Sequence, residues 1–177
     1  CPTRDLIEQL KKLKIFKTEK ISYLPDAIIN IKDFINQANY QAIEKKKFKR
    51  KYFISFGRLT KQKNFSYLID EFFEFSKKNK DIDLLIFGDG EEKKTLLNQI
   101  SKKNLKDRVF LMGYSKYVYS YMKKAHAFIL SSLWEEPGFV IIEAAMSNLF
   151  VISSDCPNGP KEFLLNGEAG LLFQSNK

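Results

Sequence analysis

The feature that most constrains the fold is an alternation, from residue 52 onward, of short apolar runs with amphipathic stretches. Runs of this length and composition are typical of β-strands, and they lie at residues 52–56, 82–87, 109–112, 126–131, 150–153 and 170–173. The stretches between them carry apolar residues at helical spacing, as in the stripe Phe65, Leu68, Ile69, Phe72 and Phe73. Strands that are apolar almost throughout, joined by amphipathic helices, predict an α/β fold: an open parallel sheet with helices on both faces.

Residues 1–50 follow a different pattern and are predicted to be a lead-in segment and linker, with the domain itself at residues 51–177. Residues 3–13 place their apolar side chains on one helical face, with Thr3 as the N-cap. Residues 20–24 predict a short strand that ends at Pro25. Residues 44–51, EKKKFKRK, have no apolar face and indicate a linker that is either simply solvated or in contact with an anionic membrane.

Composition limits the partners and the compartment. Thirty basic against 21 acidic residues give a net charge of +9, which favours anionic partners, although a solvated lysine-rich surface explains it equally well. No apolar run approaches the roughly 20 residues that span a bilayer. Two cysteines, Cys1 and Cys156, make no disulfide framework, so we expect a cytoplasmic compartment. Because the chain begins with Cys1 rather than Met and stops soon after the last strand, we expect a fragment, incomplete at its C-terminal end.

The chemically distinctive residues follow the ends of the predicted strands, where open α/β sheets bind their ligands. Arg58 is suited to grip a phosphate through two parallel hydrogen bonds, and Lys63 adds a second positive charge. The residues expected at this edge of the sheet are Gly57, Arg58, Lys63, Gly88, Gly90, Gly113, Glu135 and Gly138.

Two glutamates, Glu135 and Glu143, are separated by seven residues. Glu143 lies in the otherwise apolar stretch GFVIIEAAM, where an ionised carboxylate is costly without a partner. That partner is either a core lysine or arginine, or the hydroxyl groups of a ligand. Gly138 opens this stretch, and the N–H groups at a helix start bind phosphate. Together with the basic turn, these residues predict a site for a diphosphate with hydroxylated rings at both ends, as in a nucleotide sugar.

Residues 53–173 resemble the C-terminal, donor-binding domain of the family 4 retaining glycosyltransferases, which have the GT-B architecture and a Rossmann-like sheet. The segments that carry the resemblance are ISFGRLTKQKNF, LLIFGDGEEKKTL, RVFLMGY, ILSSLWEEPGFVIIEAAM and VISSDCPNGPKEFLLNGEAGLLF. The segment ISYLPD at residues 21–26 resembles the lead into this domain, with Asp26 where the family usually has Asn. Glu136-Pro137 replaces the common Gly-Phe pair, and residues 148–150 replace a frequent Gly-x-Pro.

The resemblance implies a role for each candidate residue. Arg58 and Lys63, in the turn that Gly57 begins, would bind the donor diphosphate. Glu135 would be the catalytic residue beside the transferred sugar, and Glu143 would accept the ribose hydroxyls. The remaining contacts would come largely from the backbone: to sugar and phosphate from Gly138, Phe139 and Val140, and to the base from the strand that ends in Met112 and Gly113.

The resemblance also implies the reaction. A hexose or N-acetylhexosamine would pass from a nucleotide-diphosphate sugar to a glycan or lipid-linked acceptor with retention of anomeric configuration. No metal or other cofactor would be needed, and the acceptor would occupy a separate N-terminal domain, so this chain alone would be inactive. The expected setting is envelope polysaccharide biosynthesis in the cytoplasm, with peripheral contact at the inner face of the membrane.

Two alternatives come from other classes of protein. A nicotinamide dehydrogenase is weakly supported, because residues 88–93 read G-x-G-x-x-K and lack the third glycine of the dinucleotide-binding pattern. A basic nucleotide- or nucleic-acid-binding module without catalysis fits the charge, but no helix-turn-helix, aromatic RNA-binding pattern or zinc spacing supports it, and we expect no nucleic-acid partner. Cys156 is predicted to be a bystander thiol, since no base lies near it in sequence.

Overall fold

The computed structural model describes residues 1–14, 20–24, 30–39 and 48–175 of the 177-residue chain. Six parallel strands form one sheet in the order β3-β2-β1-β4-β5-β6. The strands are β1 (Lys51–Phe56), β2 (Ile82–Phe87), β3 (Val109–Gly113), β4 (Ala127–Leu130), β5 (Val151–Ser154) and β6 (Leu171–Phe173). The predicted open parallel sheet is confirmed, and each predicted strand of this domain lies within one residue of its observed bounds.

Seven α-helices accompany the sheet in the described residues. They are α1 (Arg4–Leu13), α2 (Ile31–Asn39), α3 (Phe65–Lys78), α4 (Lys93–Lys102), α5 (Val118–Met122), α6 (Val140–Met146) and α7 (Pro160–Phe163). None of these helices combines the length and the apolar character that a membrane span requires. Short 3₁₀ turns at Lys61–Lys63 and Leu165–Gly167 complete the regular structure.

Two hydrophobic clusters cover the two faces of the sheet, because successive side chains of a strand point to opposite faces. In β2, Leu84 and Ile86 join a cluster with α3 and α4, whereas Leu85 and Phe87 join one with α5 and α6. In α3, the predicted stripe is largely confirmed: Phe65, Leu68, Ile69 and Phe72 are buried. Asn64 directly precedes this helix and makes no side-chain cap hydrogen bond. Burial of these apolar side chains on both faces stabilises the sheet between its two helix layers.

The lead-in segment differs in part from its predicted structure. Thr3 caps α1 as expected, with its Oγ1 accepting a hydrogen bond from the Leu6 N–H at 3.2 Å. The strand predicted at residues 20–24 is wrong: Ile21–Leu24 have no regular structure, and their backbone pairs with Cys1 rather than with a strand. Two other sequence features are described only in part. Residues 25–26 of ISYLPD and residues 44–47 of the charged run lie outside the described residues.

The helix α2 was not predicted, although the sequence carries a signal for it. The Asn30 Oδ1 accepts hydrogen bonds from the N–H groups of Lys32 and Asp33, which is an N-cap arrangement. Phe34 and Ala38, four residues apart, are its buried residues. The helix packs on α5, so part of the predicted linker belongs structurally to the sheet domain.

The strand order places a topological switch point between β1 and β4. The chain runs outward from β1 through β2 to β3 at one edge, then returns to add β4 on the other side of β1. Connections therefore leave β1 and β4 in opposite directions, which opens a crevice at their carboxyl ends. The loops that follow these two strands contain Arg58, Lys63, Glu135 and Gly138.

Candidate functional site

The loops after β1 and β4 bring Lys63 and Glu135 into direct contact. The Lys63 Nζ donates a hydrogen bond to the Glu135 Oε1 at 2.6 Å. The two side chains are 11% and 5% exposed, respectively, so this ion pair is almost entirely removed from water. Removing one partner would leave a buried charge without compensation, so each residue of the pair needs the other for stability.

Both residues are more deeply buried than the sequence suggested. Loops that follow strands are usually exposed, whereas Lys63 and Glu135 are both buried. The 3₁₀ turn Lys61–Lys63 directs the Lys63 stem inward, and two glycines make room for the pair. A Cβ on Gly57 would lie 2.9 Å from the Lys63 Cε, and one on Gly138 would lie 3.2 Å from the Glu135 Cβ. Gly138 also has a φ of +85°, a conformation that other residues rarely adopt.

Serine hydroxyls surround the ion pair and hold its loops. Ser132 donates a hydrogen bond to the Glu135 Oε1, the oxygen that also accepts from Lys63. Ser131 donates to the Lys63 carbonyl at 2.8 Å, and Ser154 on β5 donates to the Ser132 carbonyl at 2.7 Å. The buried Glu135 carboxylate is thus hydrogen-bonded as well as charge-paired, and three segments of chain fix its position.

Arg58 lies beside a cavity of about 400 Å³ at the same edge of the sheet. The cavity is lined by the turns that follow β1, β2 and β3, including Gly57, Gly88, Tyr114 and Ser115, and by Val118 of α5. Arg58 is exposed and forms no ion pair with the described residues. It therefore presents a positive charge at this cavity, whereas the charge of Lys63 is balanced by Glu135.

Glu143 lies on α6 and has a different partner from those considered for it. The Tyr119 hydroxyl on α5 donates a hydrogen bond to the Glu143 Oε1 at 2.7 Å. Burial raises the pKa of the Glu143 carboxyl, and the hydrogen bond from Tyr119 lowers it. The half-buried carboxylate is thus held by a neutral donor, and no lysine or arginine among the described residues pairs with it.

The other candidate residues are placed as follows. Gly138 and Phe139 precede α6, which begins at Val140, so all three lie at the start of the helix that carries Glu143. Gly113 ends β3, and its carbonyl accepts from the Gly88 N–H at 2.9 Å. Met112 lies along a different cavity, between β3 and α4, while Tyr114 and Ser115 line the cavity beside Arg58.

Two polar residues of the site were missed in the sequence. Ser132, three residues before Glu135, carried a signal in that spacing, because a short loop after a strand brings its own residues together. Tyr119 carried no such signal, because in the sequence it looks like any aromatic residue of the core. Its contact with Glu143 depends on how α5 packs on α6.

Taken together, the fold and the site define a doubly wound α/β domain with a charged crevice at its switch point. Its crevice at the switch point offers an exposed guanidinium, a buried lysine–glutamate pair and a second carboxylate on the helix beside them. No group of three His, Cys, Asp or Glu side chains suited to a metal ion occurs within the described ranges.

The chain belongs to the glycosyl transferases group 1 family, whose sequence profile matches residues 36–177. An uncharacterized glycosyltransferase of Methanocaldococcus jannaschii is 44% identical over 112 residues, which cover 63% of this chain and 28% of that protein. A Campylobacter jejuni relative is 34% identical over 134 residues, covering 76% of this chain and 36% of the relative. Its name is N-acetylgalactosamine-N,N'-diacetylbacillosaminyl-diphospho-undecaprenol 4-alpha-N-acetylgalactosaminyltransferase. The chain thus spans about a third of the length of these curated relatives.

A solved structure agrees with the family and the fold. A variant of S. aureus TarM, crystallised with Fondaparinux, alpha-GlcNAc-glycerol and UDP, superposes with a TM-score of 0.78 at 25% identity. The superposition covers 96% of this chain and 32% of TarM. The resemblance to GT-B glycosyltransferases noted from the sequence is confirmed at the level of family and fold.

Proposed function

We propose that this chain is the donor-binding part of a family 4 retaining glycosyltransferase. The whole protein transfers a hexose or N-acetylhexosamine from a nucleoside-diphosphate sugar to a glycan or lipid-linked acceptor. The observation that carries the proposal is the Lys63–Glu135 pair at the switch point, next to Arg58 and a cavity of about 400 Å³. Membership of the family supports the reaction class, UDP in the TarM structure supports the donor, and the diphospho-undecaprenol in the Campylobacter relative's name supports the acceptor.

In this proposal the diphosphate is held by positive charge from the protein. The planar guanidinium of Arg58 binds one phosphate. The N–H groups of Gly138, Phe139 and Val140 face the other phosphate and the sugar. The Lys63 ammonium has three N–H donors, of which one is directed at Glu135, so it contacts a phosphate without leaving its partner. We propose that no metal ion is needed, because these groups supply the charge that a cation otherwise would.

The two glutamates have separate roles in the proposed complex. Glu143 accepts the ribose hydroxyls of the nucleotide. Tyr114, which lines the cavity beside Arg58, and Gly113 at the end of β3 lie toward the base. Glu135 lies beside the transferred sugar and is the catalytic residue, held in position by Lys63 and Ser132. Its burial keeps water away from the anomeric carbon, which favours transfer to the acceptor over hydrolysis.

We further propose that these 177 residues bind the donor but transfer no sugar by themselves. In a two-domain transferase the acceptor is held across the cleft, and one side of a cleft cannot align two substrates. The whole enzyme works in the cytoplasm, with its basic surface toward the anionic face of the membrane.

Calorimetry of two conservative variants tests the proposal. Glu143→Gln removes a charged acceptor from the ribose and should weaken UDP and UDP-N-acetylglucosamine alike, by about 1.5–3 kcal/mol. Glu135→Gln should leave UDP affinity nearly unchanged and weaken the sugar conjugate by a similar amount, because only the conjugate reaches this carboxylate. GDP and GDP-mannose are run in parallel to cover the other common donor base.

The matched control is Glu168→Gln, because Glu168 is exposed and precedes β6, whereas the crevice lies at the carboxyl ends of the strands. This variant should change neither affinity. NAD and duplex DNA should not compete with the nucleotide at physiological salt. The proposed roles of the glutamates would be wrong if Glu135→Gln weakened the sugar-free nucleotide as much as the conjugate. Tight binding of NAD or DNA in place of nucleotide sugars would contradict the proposed function itself.

A further inference from the structure

The hydrogen bond between Tyr119 and Glu143 connects two helices whose residues are 24 positions apart in the chain. Tyr119 lies on α5, which covers the sheet on the same face as α6. Its hydroxyl is the donor, and burial, together with the hydrogen bond to Glu143, raises the pKa of the Tyr119 phenol. The phenol therefore stays protonated and remains a hydrogen-bond donor across the physiological pH range.

The ring of Tyr119 is held on its other side by α2. Phe34, one of the two buried residues of that helix, packs against Tyr119 with ring centroids 4.8 Å apart and planes tilted by 56°. A second contact joins the same two helices, since the Lys123 Nζ donates to the Asn39 Oδ1 at 2.8 Å. The partly buried Tyr119 ring thus has contacts to both α2 and α6, which restrict its rotamers and fix the direction of its hydroxyl.

This arrangement leaves part of the Glu143 carboxylate for a ligand. The Tyr119 hydroxyl occupies one lone-pair position of the Glu143 Oε1, whereas a carboxylate has two oxygens and about four such positions. Val118, next to Tyr119 in α5, lines the cavity that also contains Arg58. The carboxylate is therefore anchored at one oxygen, close to the helix that borders the proposed nucleotide pocket.

We propose that Tyr119 is a positioning residue: it orients the Glu143 carboxylate so that the oxygen Tyr119 does not occupy accepts the ribose hydroxyls. The inference rests on the proposed function, because it takes Glu143 as the ribose acceptor. Tyr119 itself touches no ligand. It acts through Glu143, and Phe34 of α2 supports it from behind.

The test uses the selectivity of the chain for ribose hydroxyls. UDP and GDP are titrated into the unaltered chain, and the nucleotide that binds is compared with its 2′,3′-dideoxy form. The variant Tyr119→Phe keeps the ring against Phe34 and removes only the hydroxyl. It should weaken the ribonucleotide about tenfold, the size of one hydrogen bond, and leave the dideoxynucleotide within about twofold. Tyr67→Phe, which removes a phenol from α3 on the opposite face, should change neither.

A double-mutant cycle adds a readout that a purely structural role does not move. In a Glu143→Gln background, Tyr119→Phe should have little further effect on ribonucleotide affinity, because the residue through which it acts has lost its charge. The ratio of ribonucleotide to dideoxynucleotide affinity is measured within each variant, so partial misfolding does not alter it.

Equal weakening of both nucleotides by Tyr119→Phe, no weakening of either, or effects that add to those of Glu143→Gln would each overturn the proposal. If the unaltered chain binds the ribonucleotide but does not prefer it over the dideoxy form, the role of Glu143 fails and that of Tyr119 with it. If the unaltered chain binds neither UDP nor GDP, the proposed function fails first, which is a separate result.

Discussion

Arg58 and Lys63 belong to one turn between β1 and α3, yet their side chains have different surroundings. Arg58 is exposed beside the proposed nucleotide pocket, and Lys63 is buried against Glu135 at 2.6 Å. Their shared position after a strand could be read from the sequence. Their burial could not, because it depends on the loop after β4, whose distance from this turn is set by strand order.

Alanine substitutions should therefore separate binding from stability. Arg58→Ala should weaken nucleoside diphosphate binding by about 1.5–3 kcal/mol and leave the free energy of unfolding within about 0.5 kcal/mol. Lys63→Ala should weaken binding and also destabilise the fold by about 3 kcal/mol, since it leaves the Glu135 carboxylate buried without a partner. Denaturant unfolding and calorimetry measure the two quantities independently.

The double variant Lys63→Met with Glu135→Gln is the control for this interpretation. Removing both charges should recover most of the stability lost in Lys63→Ala, because no buried charge is then left without a partner. Equal stability of the Arg58→Ala and Lys63→Ala variants would show that the ion pair does not contribute as its burial suggests.

Cys156 gives a prediction about reactivity. It is 1% exposed, and burial raises the pKa of its thiol to about 11, with the nearby Ser154 hydroxyl acting in the opposite direction. At pH 8 only about one thiol in a thousand is then ionised, and the thiolate is the reactive form. Cys156 should react with iodoacetamide far more slowly than Cys1 at pH 8, and catch up only when the chain is unfolded.

Mass spectrometry of the labelled peptides distinguishes the two sites, and a Cys156→Ser variant identifies the slow phase. Fast labelling of Cys156 in the folded chain at pH 8 would contradict a raised pKa in a closed environment. The thiol lies near Glu135 and Lys63, so the same labelling, repeated with UDP present, reports whether a ligand slows opening of this loop further.

At the scale of elements, the turns between strands and helices are where glycine matters most. Gly88, directly after β2, has a φ of +134°, and a Cβ there would collide with the Gly57 carbonyl oxygen. The turn after β2 thus packs backbone to backbone on the turn after β1. This close approach brings the lining of the cavity together, and it requires a residue without a side chain.

Gly88→Ala should therefore destabilise the fold by roughly 2–4 kcal/mol and weaken nucleotide binding as well. Gly167→Ala is the matched control, because Gly167 also has a positive φ, +105°, but no atom lies within 4 Å of the position of its Cβ. Gly167→Ala should lower the free energy of unfolding by only about 1–2 kcal/mol, from the strain of the positive φ, and should leave nucleotide binding unchanged. Similar losses in the two variants would mean that the contact with Gly57 contributes nothing.

Which elements the sequence could predict follows from how each is stabilised. The strands of the main sheet are buried on both faces, so their apolar runs mark their bounds closely. Residues 20–24 have an apolar pattern but no neighbouring strand, and pattern alone does not supply one. The helix α2 buries only Phe34 and Ala38, which is too few residues for a clear period.

At the scale of the whole molecule, the fold class and the edge of the sheet that carries the site were predictable, because parallel strands joined by helices all end at one edge. The order of the strands was not, since periodicity does not say on which side of β1 a later strand pairs. The Lys63–Glu135 contact and the Tyr119–Glu143 contact both depend on that order and on helix packing. The sequence therefore placed Lys63, Glu135 and Glu143 after the ends of the predicted strands, but it did not predict which side chains they contact.

The net charge of +9 leads to a prediction about membranes. The chain should sediment with vesicles that contain phosphatidylserine and not with pure phosphatidylcholine vesicles, and added salt should release it. Replacing Lys45, Lys46 and Lys47 by serine should lower the bound fraction more than replacing Lys78, Lys80 and Lys94, which are exposed on the sheet domain. Equal binding to both kinds of vesicle, or to neither, would rule out this contact.

The position of the ion pair also has a consequence for how the chain acquires its binding site. Lys63 and Glu135 are 72 residues apart, and the pairing of β1 with β4 that joins them encloses all of β2 and β3. Contacts between such distant residues close large loops and form slowly. During synthesis, a nascent chain that already contains β1 to β3 would still lack half of the crevice. We therefore expect nucleotide capture to begin only after the chain has emerged beyond β5, so that binding reports completed folding and not the presence of a partly folded sheet.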